Sequence, residues 1–281
     1  MRFCIVGTGR CGTTLLWRML NAHPDLFVYR ETHWLPALHE AFGLRAVPTG
    51  ALLDLVARTR FVTGDPVTPL DADAFRQSPG YRKDMTVAAF CDALGAFHAA
   101  AEGKTVWADK TPDYGYFVSV LQLYWPGCRV IHLIRDGVRT AQSMSRHVGY
   151  RALAALDRRH WPPLALDYVP PAEGFGPGPP ERFADLWHDR LLRIRDEAAR
   201  LAPGSYMELR HEDLTADPVP LLRRIAGDNG LAEDPAWLAA AAAMVDAGRG
   251  AGRGPDEPVP AHFGDRHRAL LRDLGYPDGR A

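Results

Sequence analysis

No apolar run in this 281-residue chain approaches the roughly eighteen residues that a membrane-spanning helix needs. Surplus charge is also missing. Lys and Arg number 33 against 34 Asp and Glu, a net charge of −1, so no broad basic surface invites nucleic acid or an anionic membrane. A site for a charged ligand has to be basic locally. Cysteine is scarce, and Cys4, Cys11, Cys91 and Cys128 lie far apart without C-x-x-C spacing. That suits a reducing compartment better than a disulfide frame. No group of His, Cys and carboxylate shows metal-ligand spacing. The first strand begins near residue 2, leaving no room before it for a signal peptide. These absences lead us to expect a soluble, cytoplasmic protein with no metal and no nucleic-acid or membrane partner; they leave its oligomeric state open. The length allows one large core or two small ones, and a single domain over residues 1–281 is expected.

What is present is concentrated in the opening MRFCIVGTGRCGTTLL. Phe3-Cys4-Ile5-Val6 reads as a buried strand, and Leu15, Leu16, Met19 and Leu20 give the apolar stripe of a helix. Gly7-Thr8-Gly9-Arg10-Cys11-Gly12-Thr13-Thr14 lies between them. A strand, a glycine-rich turn and a helix start form an anion cradle. Free amides of the first helical turn and about half a positive charge from the helix dipole converge there. Three ligands compete for these letters. Gly7, Gly9 and Gly12 spell the dinucleotide fingerprint, with Glu31 about twenty residues beyond the turn. Gly7 to Thr14 also fits a phosphate loop whose usual lysine is replaced by Thr13. In the third reading, Arg10, Cys11, Gly12, Thr13 and Thr14 wrap a phosphosulfate, with amides, two hydroxyls and one cation.

A second segment separates these readings. Cys128 to Ile134 is another apolar strand, running into Arg135-Asp136-Gly137 and then a helical stretch with Ser143 eight residues after Arg135. Here the chain resembles the sulfotransferases that use 3′-phosphoadenosine 5′-phosphosulfate. The first loop looks like their 5′-phosphosulfate loop, and Arg135 with Ser143 looks like their 3′-phosphate site. The dinucleotide reading explains only the first motif. The likeness extends further. His23 to His33 is similar to the segment carrying the general base in protein-tyrosine sulfotransferases, which implies that role for Glu31. Trp107-Ala108-Asp109-Lys110-Thr111-Pro112 resembles the segment whose lysine reaches the sulfuryl group. Leu209-Arg210-His211-Glu212-Asp213-Leu214 resembles a late R-Y-E-D-L stretch. A basic, glycine-bearing segment before the last helix implies a 3′-phosphate contact from Arg249 or Arg253.

Four departures accompany the likeness. Gly9 replaces a proline and Cys11 a serine, and neither change removes a backbone donor. His211 replaces tyrosine, which puts a nucleotide contact there in doubt. His33 stands where the tyrosine-specific enzymes carry arginine, which weakens a peptide acceptor.

The chain alternates strand and helix. Strands are expected near 2–6, 26–29, 105–108, 129–134 and 205–209. Helices are expected over 12–22, between 33 and 60, and over 84–101, 112–124, 138–147, 181–202, 218–227, 234–247 and 264–274. This pattern predicts an α/β fold with a parallel sheet flanked by helices on both faces, the P-loop-like sulfotransferase fold implied by the resemblance. Ligands then bind beyond the carboxyl ends of the strands, where Arg10, Glu31, Lys110 and Arg135 all fall. The Pro- and Gly-rich stretch at about 148–180 reads as an irregular loop, either an acceptor lid or a plain surface segment.

Several residues also have a purely structural reading. Glu31 could cap the helix after Thr32, Lys110 could be a solvated strand-end charge, and Arg135 could pair with Asp136 or Asp109. His132 reads as a core histidine, and Trp34, Trp107, Trp125 and Trp161 as core or rim. The activity expected is sulfuryl transfer to a small-molecule hydroxyl, a sugar or specialised metabolite. Catalysis is assigned to Glu31, Arg10 and Lys110, and no metal is required. A kinase, an NAD-binding oxidoreductase, a non-catalytic nucleotide-binding regulator and a peptide-tyrosine acceptor are the alternatives.

Overall fold

The apolar opening forms β1 (Phe3–Gly7), buried along its whole length. Its alternate residues feed two cores. Cys4 and Val6 pack into one and Phe3 and Ile5 into the other, so helices cover both faces, as a parallel sheet requires. The computed structural model describes residues 1–61, 64–160, 175–246, 253–254 and 256–278.

After β1 come α1 (Thr13–Asn21), β2 (Leu26–Tyr29), α2 (Leu35–Phe42), β3 (Val47–Pro48), α3 (Thr49–Arg58), α4 (Ala72–Arg76) and β4 (Asp84–Met85). Next are α5 (Val87–Ala101), β5 (Val106–Lys110), a 3₁₀ turn (Pro112–Phe117), α6 (Val118–Tyr124), β6 (Arg129–Ile134), α7 (Gly137–Ser145) and α8 (Val148–Ala155). The chain continues through α9 (Pro180–Ala198), β7 (Tyr206–Arg210), α10 (His211–Ala216), α11 (Pro218–Asp228), α12 (Pro235–Ala242) and α13 (Asp265–Asp273). The main sheet is parallel with strand order β2-β5-β1-β6-β7. The first strand in sequence is central in space, so the order reverses at β1 and opens a crevice there.

Register fixes what stands at that crevice. Ile5 pairs with Lys110, Gly7 with Leu133, and Ile134 with Arg210. Across the carboxyl edge, Glu31, Lys110, the β1–α1 loop, Arg135 and His211 therefore follow one another. Neighbouring strands are about 4.8 Å apart.

Three sequence expectations change. The helix expected from Asp84 begins at Val87. Thr86 caps it, its side chain accepting from the Ala89 N–H at 3.2 Å, while Asp84–Met85 pairs antiparallel with Val47–Pro48. The helix expected over 112–124 starts as the 3₁₀ turn, where Gly115 meets Ile194 of α9 with no room for a Cβ. The stretch expected to be irregular from 148 instead opens with α8, where the His147 ring accepts from the Gly149 N–H at 3.2 Å. Residues 161–174 lie outside the described residues, and with them Trp161 and the question of an acceptor lid.

Candidate active site

The turn out of β1 is made with left-handed backbone at Gly9 (φ 76°), Arg10 (φ 56°) and Gly12 (φ 97°). At Arg10, which has a Cβ, this conformation costs about 1–3 kcal/mol and marks a place where the surroundings hold the chain. Gly12 is the N-cap of α1 and no side chain caps it, so the helix start keeps unclaimed donors. The Cys11 side chain lies beneath the loop, fully buried. Burial pushes its thiol up, against the Thr8 hydroxyl and the amides of Gly9, Cys11 and Thr13, which pull it down. The thiol stays protonated and acts as filler, so Cys11 can serve a ligand only through its backbone. Thr13 is buried, and Thr14 faces solvent.

On the β6 side the two motifs meet. Arg10 Nε donates to Ser143 Oγ at 3.2 Å. Arg135 follows β6 with its Nε buried and unpartnered, and His211 Nδ1 is in the same state. The His211 ring lies against Gly12, so closely that a Cβ there would overlap it. Burial, reinforced by the Arg135 charge, pushes His211 down to about 4, leaving a neutral imidazole at pH 7. Orphaned buried N–H groups are rare unless a ligand completes them. An anion fits this place. Asp136 caps α7, accepting from the Arg139 N–H at 2.9 Å, and its own N–H donates to Glu212 at 3.0 Å. Tyr276 donates to the other Glu212 oxygen at 2.7 Å, beneath the Arg210 guanidinium 4.3 Å from its ring centroid.

Arg253, one of the two arginines that the resemblance offers for the 3′-phosphate, is tied to the scaffold through its terminal nitrogens. Its guanidinium is fully buried, donating to the Glu257 carbonyl at 2.6 Å and to the Pro277 carbonyl, with Asp136 at 3.5 Å. Two backbone acceptors and a carboxylate hold its terminal nitrogens in the scaffold under α7, while its Nε is buried without a hydrogen-bond partner. Arg249 lies outside the described residues.

On the β5 side, Thr32 ties the segment after β2 to the end of β5. Its N–H donates to Thr111 Oγ1 at 2.8 Å and its hydroxyl to Asp109 Oδ2 at 2.7 Å, while Thr111 donates to Asp109 Oδ1 at 2.6 Å. Burial raises Asp109 to about 6 despite these bonds. The clasp sets Glu31 beside Lys110, whose Nζ donates to Oε1 at 2.5 Å, with His33 Nε2 3.2 Å from Oε2. Burial opposes the Glu31 carboxylate, but the His33 hydrogen bond and the Lys110 charge outweigh it and hold the group at about 2. Burial lowers Lys110 and also opposes a charged His33, yet the Glu31 bond leaves His33 raised. His33 is another residue with left-handed backbone, φ 55°. Neither structural reading of these two groups holds. The N-cap of α2 is Trp34, without a side-chain bond, and the Lys110 side chain is 0% exposed.

The fold thus joins Arg10 to Ser143 and Glu31 to Lys110, with Arg135 at the next strand end from the loop. Sequence reasoning held His33 as the substitute base and Asp109 as a possible partner of Arg135, and passed over Asp113 and Arg190. One signal for Arg190 was available: an arginine between Trp187 and Leu191 on the apolar face of a helix.

The sulfotransferase family profile matches residues 3–235. A curated relative, nodulation protein NoeE of Sinorhizobium fredii (strain NBRC 101917 / NGR234), is 28% identical over 237 residues, 83% of this chain and 50% of the relative. The chain therefore spans half the length of that protein. Among solved structures, the sulfotransferase domain from the curacin biosynthetic pathway superimposes with a TM-score of 0.58 at 18% identity, covering 98% of this chain and 97% of that one. The sulfotransferase domain from the Synechococcus PCC 7002 olefin synthase gives 0.55 at 20% identity, covering 98% and 94%. These two share the fold, and the profile match decides the family: the chain belongs to the sulfotransferases.

Proposed function

We propose that the chain transfers a sulfuryl group from 3′-phosphoadenosine 5′-phosphosulfate to the hydroxyl of a small-molecule acceptor. The observation that carries this reading is the order Glu31, Lys110, β1–α1 loop, Arg135 along a single sheet edge, one carboxylate followed by basic groups and a helix start. Arg10, the amides from Cys11 to Thr14 and the exposed Thr14 hydroxyl would hold the 5′-phosphosulfate. Arg135 and Ser143 would hold the 3′-phosphate, and the orphaned N–H of Arg135 supports that assignment. The donor supplies an activated sulfuryl group, and the protein does the rest.

Glu31 is an ionised carboxylate kept neutral overall by Lys110 and His33. Lys110 would turn its ammonium from Glu31 toward the equatorial and bridging oxygens at the loop, and Arg10 would contribute a second cation there, as cations do in phosphoryl transfer. Released from Lys110, Glu31 accepts the proton of the attacking hydroxyl. His33, in place of the arginine of tyrosine-specific enzymes, favours a small acceptor over a peptide.

Calorimetric titration with adenosine 3′,5′-bisphosphate, ATP and NAD tests the donor. Only the first should bind, and equal binding of ATP would return the weight to a kinase. Sulfation of a metabolite extract, read by mass spectrometry, tests the acceptor class. Activity should survive excess EDTA; complete loss restored by magnesium would sink the metal-free scheme.

A further inference from the structure

Arg190, on α9, is a fully buried arginine whose donors all go to loops at the carboxyl edge of the sheet. Nε donates to the Thr8 carbonyl at 2.7 Å, Nη1 to the Arg159 carbonyl at 2.6 Å, and Nη2 to Asp113 Oδ1. Its guanidinium carbon lies 5.3 Å from the Tyr116 ring centroid and 5.6 Å from that of Tyr150. Tyr150 donates to the same Thr8 carbonyl at 3.4 Å, and its hydroxyl fills the space where a Cβ on Gly9 would stand. A buried charge with this many partners is costly to assemble, and the helix it sits on needs only an apolar residue there for packing.

We infer that Arg190 is the positioning residue of the donor loop. By holding the Thr8 carbonyl from α9 it orients the Thr8–Gly9 peptide, and with it the left-handed turn that carries Arg10 to Ser143. The peptide unit is planar and trans, so pinning the carbonyl of Thr8 fixes the direction of the Gly9 N–H as well. Tyr150 is the second donor to that carbonyl. Asp113 acts through Arg190: it is the only carboxylate the guanidinium touches among the described residues, and it orients the fork. A lysine could keep the charge but could not reach Thr8, Arg159 and Asp113 together.

This inference rests on the donor reading of the β1–α1 loop, and the test separates the two. Affinity for adenosine 3′,5′-bisphosphate is measured by calorimetry on wild type, Arg190→Lys, Asp113→Asn, the double variant and Leu191→Ala. Leu191, one residue along α9, is a fully buried apolar side chain and serves as a control for lost stability. Arg190→Lys should weaken binding about ten-fold or more, and Asp113→Asn about three-fold. The double variant should be no weaker than Arg190→Lys alone, because Asp113 acts through Arg190. Leu191→Ala should lower the melting temperature yet bind within two-fold of wild type. If Arg190→Lys does not fold, Tyr150→Phe carries the test, with binding about three-fold weaker. Equal affinity in whichever of these variants is folded overturns the inference, as does a loss in Leu191→Ala as large as in Arg190→Lys. Failure of the wild type to bind the nucleotide overturns the donor reading, and this inference with it.

Discussion

Both oxygens of Glu31 already hold a partner, Lys110 at 2.5 Å and His33 at 3.2 Å, so one substitution tests chemistry and electrostatics together. Glu31→Gln keeps the shape but cannot accept a proton. Turnover should fall by roughly 10²–10⁴, with nucleotide affinity within about two-fold. Because the folded carboxylate sits at about 2 instead of 4.5, it stabilises the protein fully above pH 4.5 and loses that effect as pH falls toward 2. The variant should therefore be less stable at pH 7 by about 1–3 kcal/mol, with the difference shrinking through that acid window in pH-dependent melts. A Glu31 base is ionised throughout, so turnover should stay flat between pH 5 and 6.5. A neutral His33 base, its pKa raised by the Glu31 bond, would instead make turnover climb steadily through that window. Arg135→Ala removes a charge-assisted contact of about 1.5–3 kcal/mol. Binding of adenosine 3′,5′-bisphosphate should weaken about ten- to a hundred-fold while the melting temperature stays near wild type.

The loop and the start of α1 behave as one element. Gly12 needs φ 97° and touches the His211 ring, so Gly12→Ala meets strain and collision together. We expect a loss of about 1–3 kcal/mol in chemical denaturation and nucleotide binding too weak to measure by calorimetry. By contrast, Thr86→Ala removes the cap of α5, on the opposite side of the sheet from α1. About 1 kcal/mol of stability should go and activity should stay. The pair separates damage to the site from damage to the fold. At this scale the sequence was legible where one force dominated. The apolar runs at Phe3–Val6 and Val130–Ile134, short and each ending in a glycine-bearing turn, read as buried strands, and they form β1 and β6. The ends of α5 and α6 were not, because a two-residue ribbon at Asp84–Met85 and the approach of Ile194 to Gly115 depend on partners far along the chain.

The whole molecule is nearly neutral, with a net charge of −1, while the crevice at β1 gathers Arg10, Lys110 and Arg135. Ligand binding should therefore be read as a local, specific stabilisation. Adenosine 3′,5′-bisphosphate at a hundred times its dissociation constant should add about 2.7 kcal/mol and raise the melting temperature by several degrees, with NAD giving no shift. His211 adds a global acid response. Its folded value near 4 lies below the ordinary 6.5, so its contribution is whole above pH 6.5 and disappears as pH falls toward 4. His211→Gln should flatten the stability curve across that window, by at most about 3 kcal/mol.

The sequence by itself determined the class of fold and the strand–loop–helix cradle, because these depend on short-range periodicity and on a glycine-bearing turn between two apolar runs. Tertiary structure decided who partners whom. Glu31 and Lys110 are 79 residues apart and meet only because β2 and β5 are neighbours with Tyr29 opposite Asp109. It likewise turned Arg253 inward to Asp136 and Cys11 beneath the loop, and set Arg190 against Thr8. A charged or polar letter does not say which way it faces. Only the packing that removes water from one side of it does.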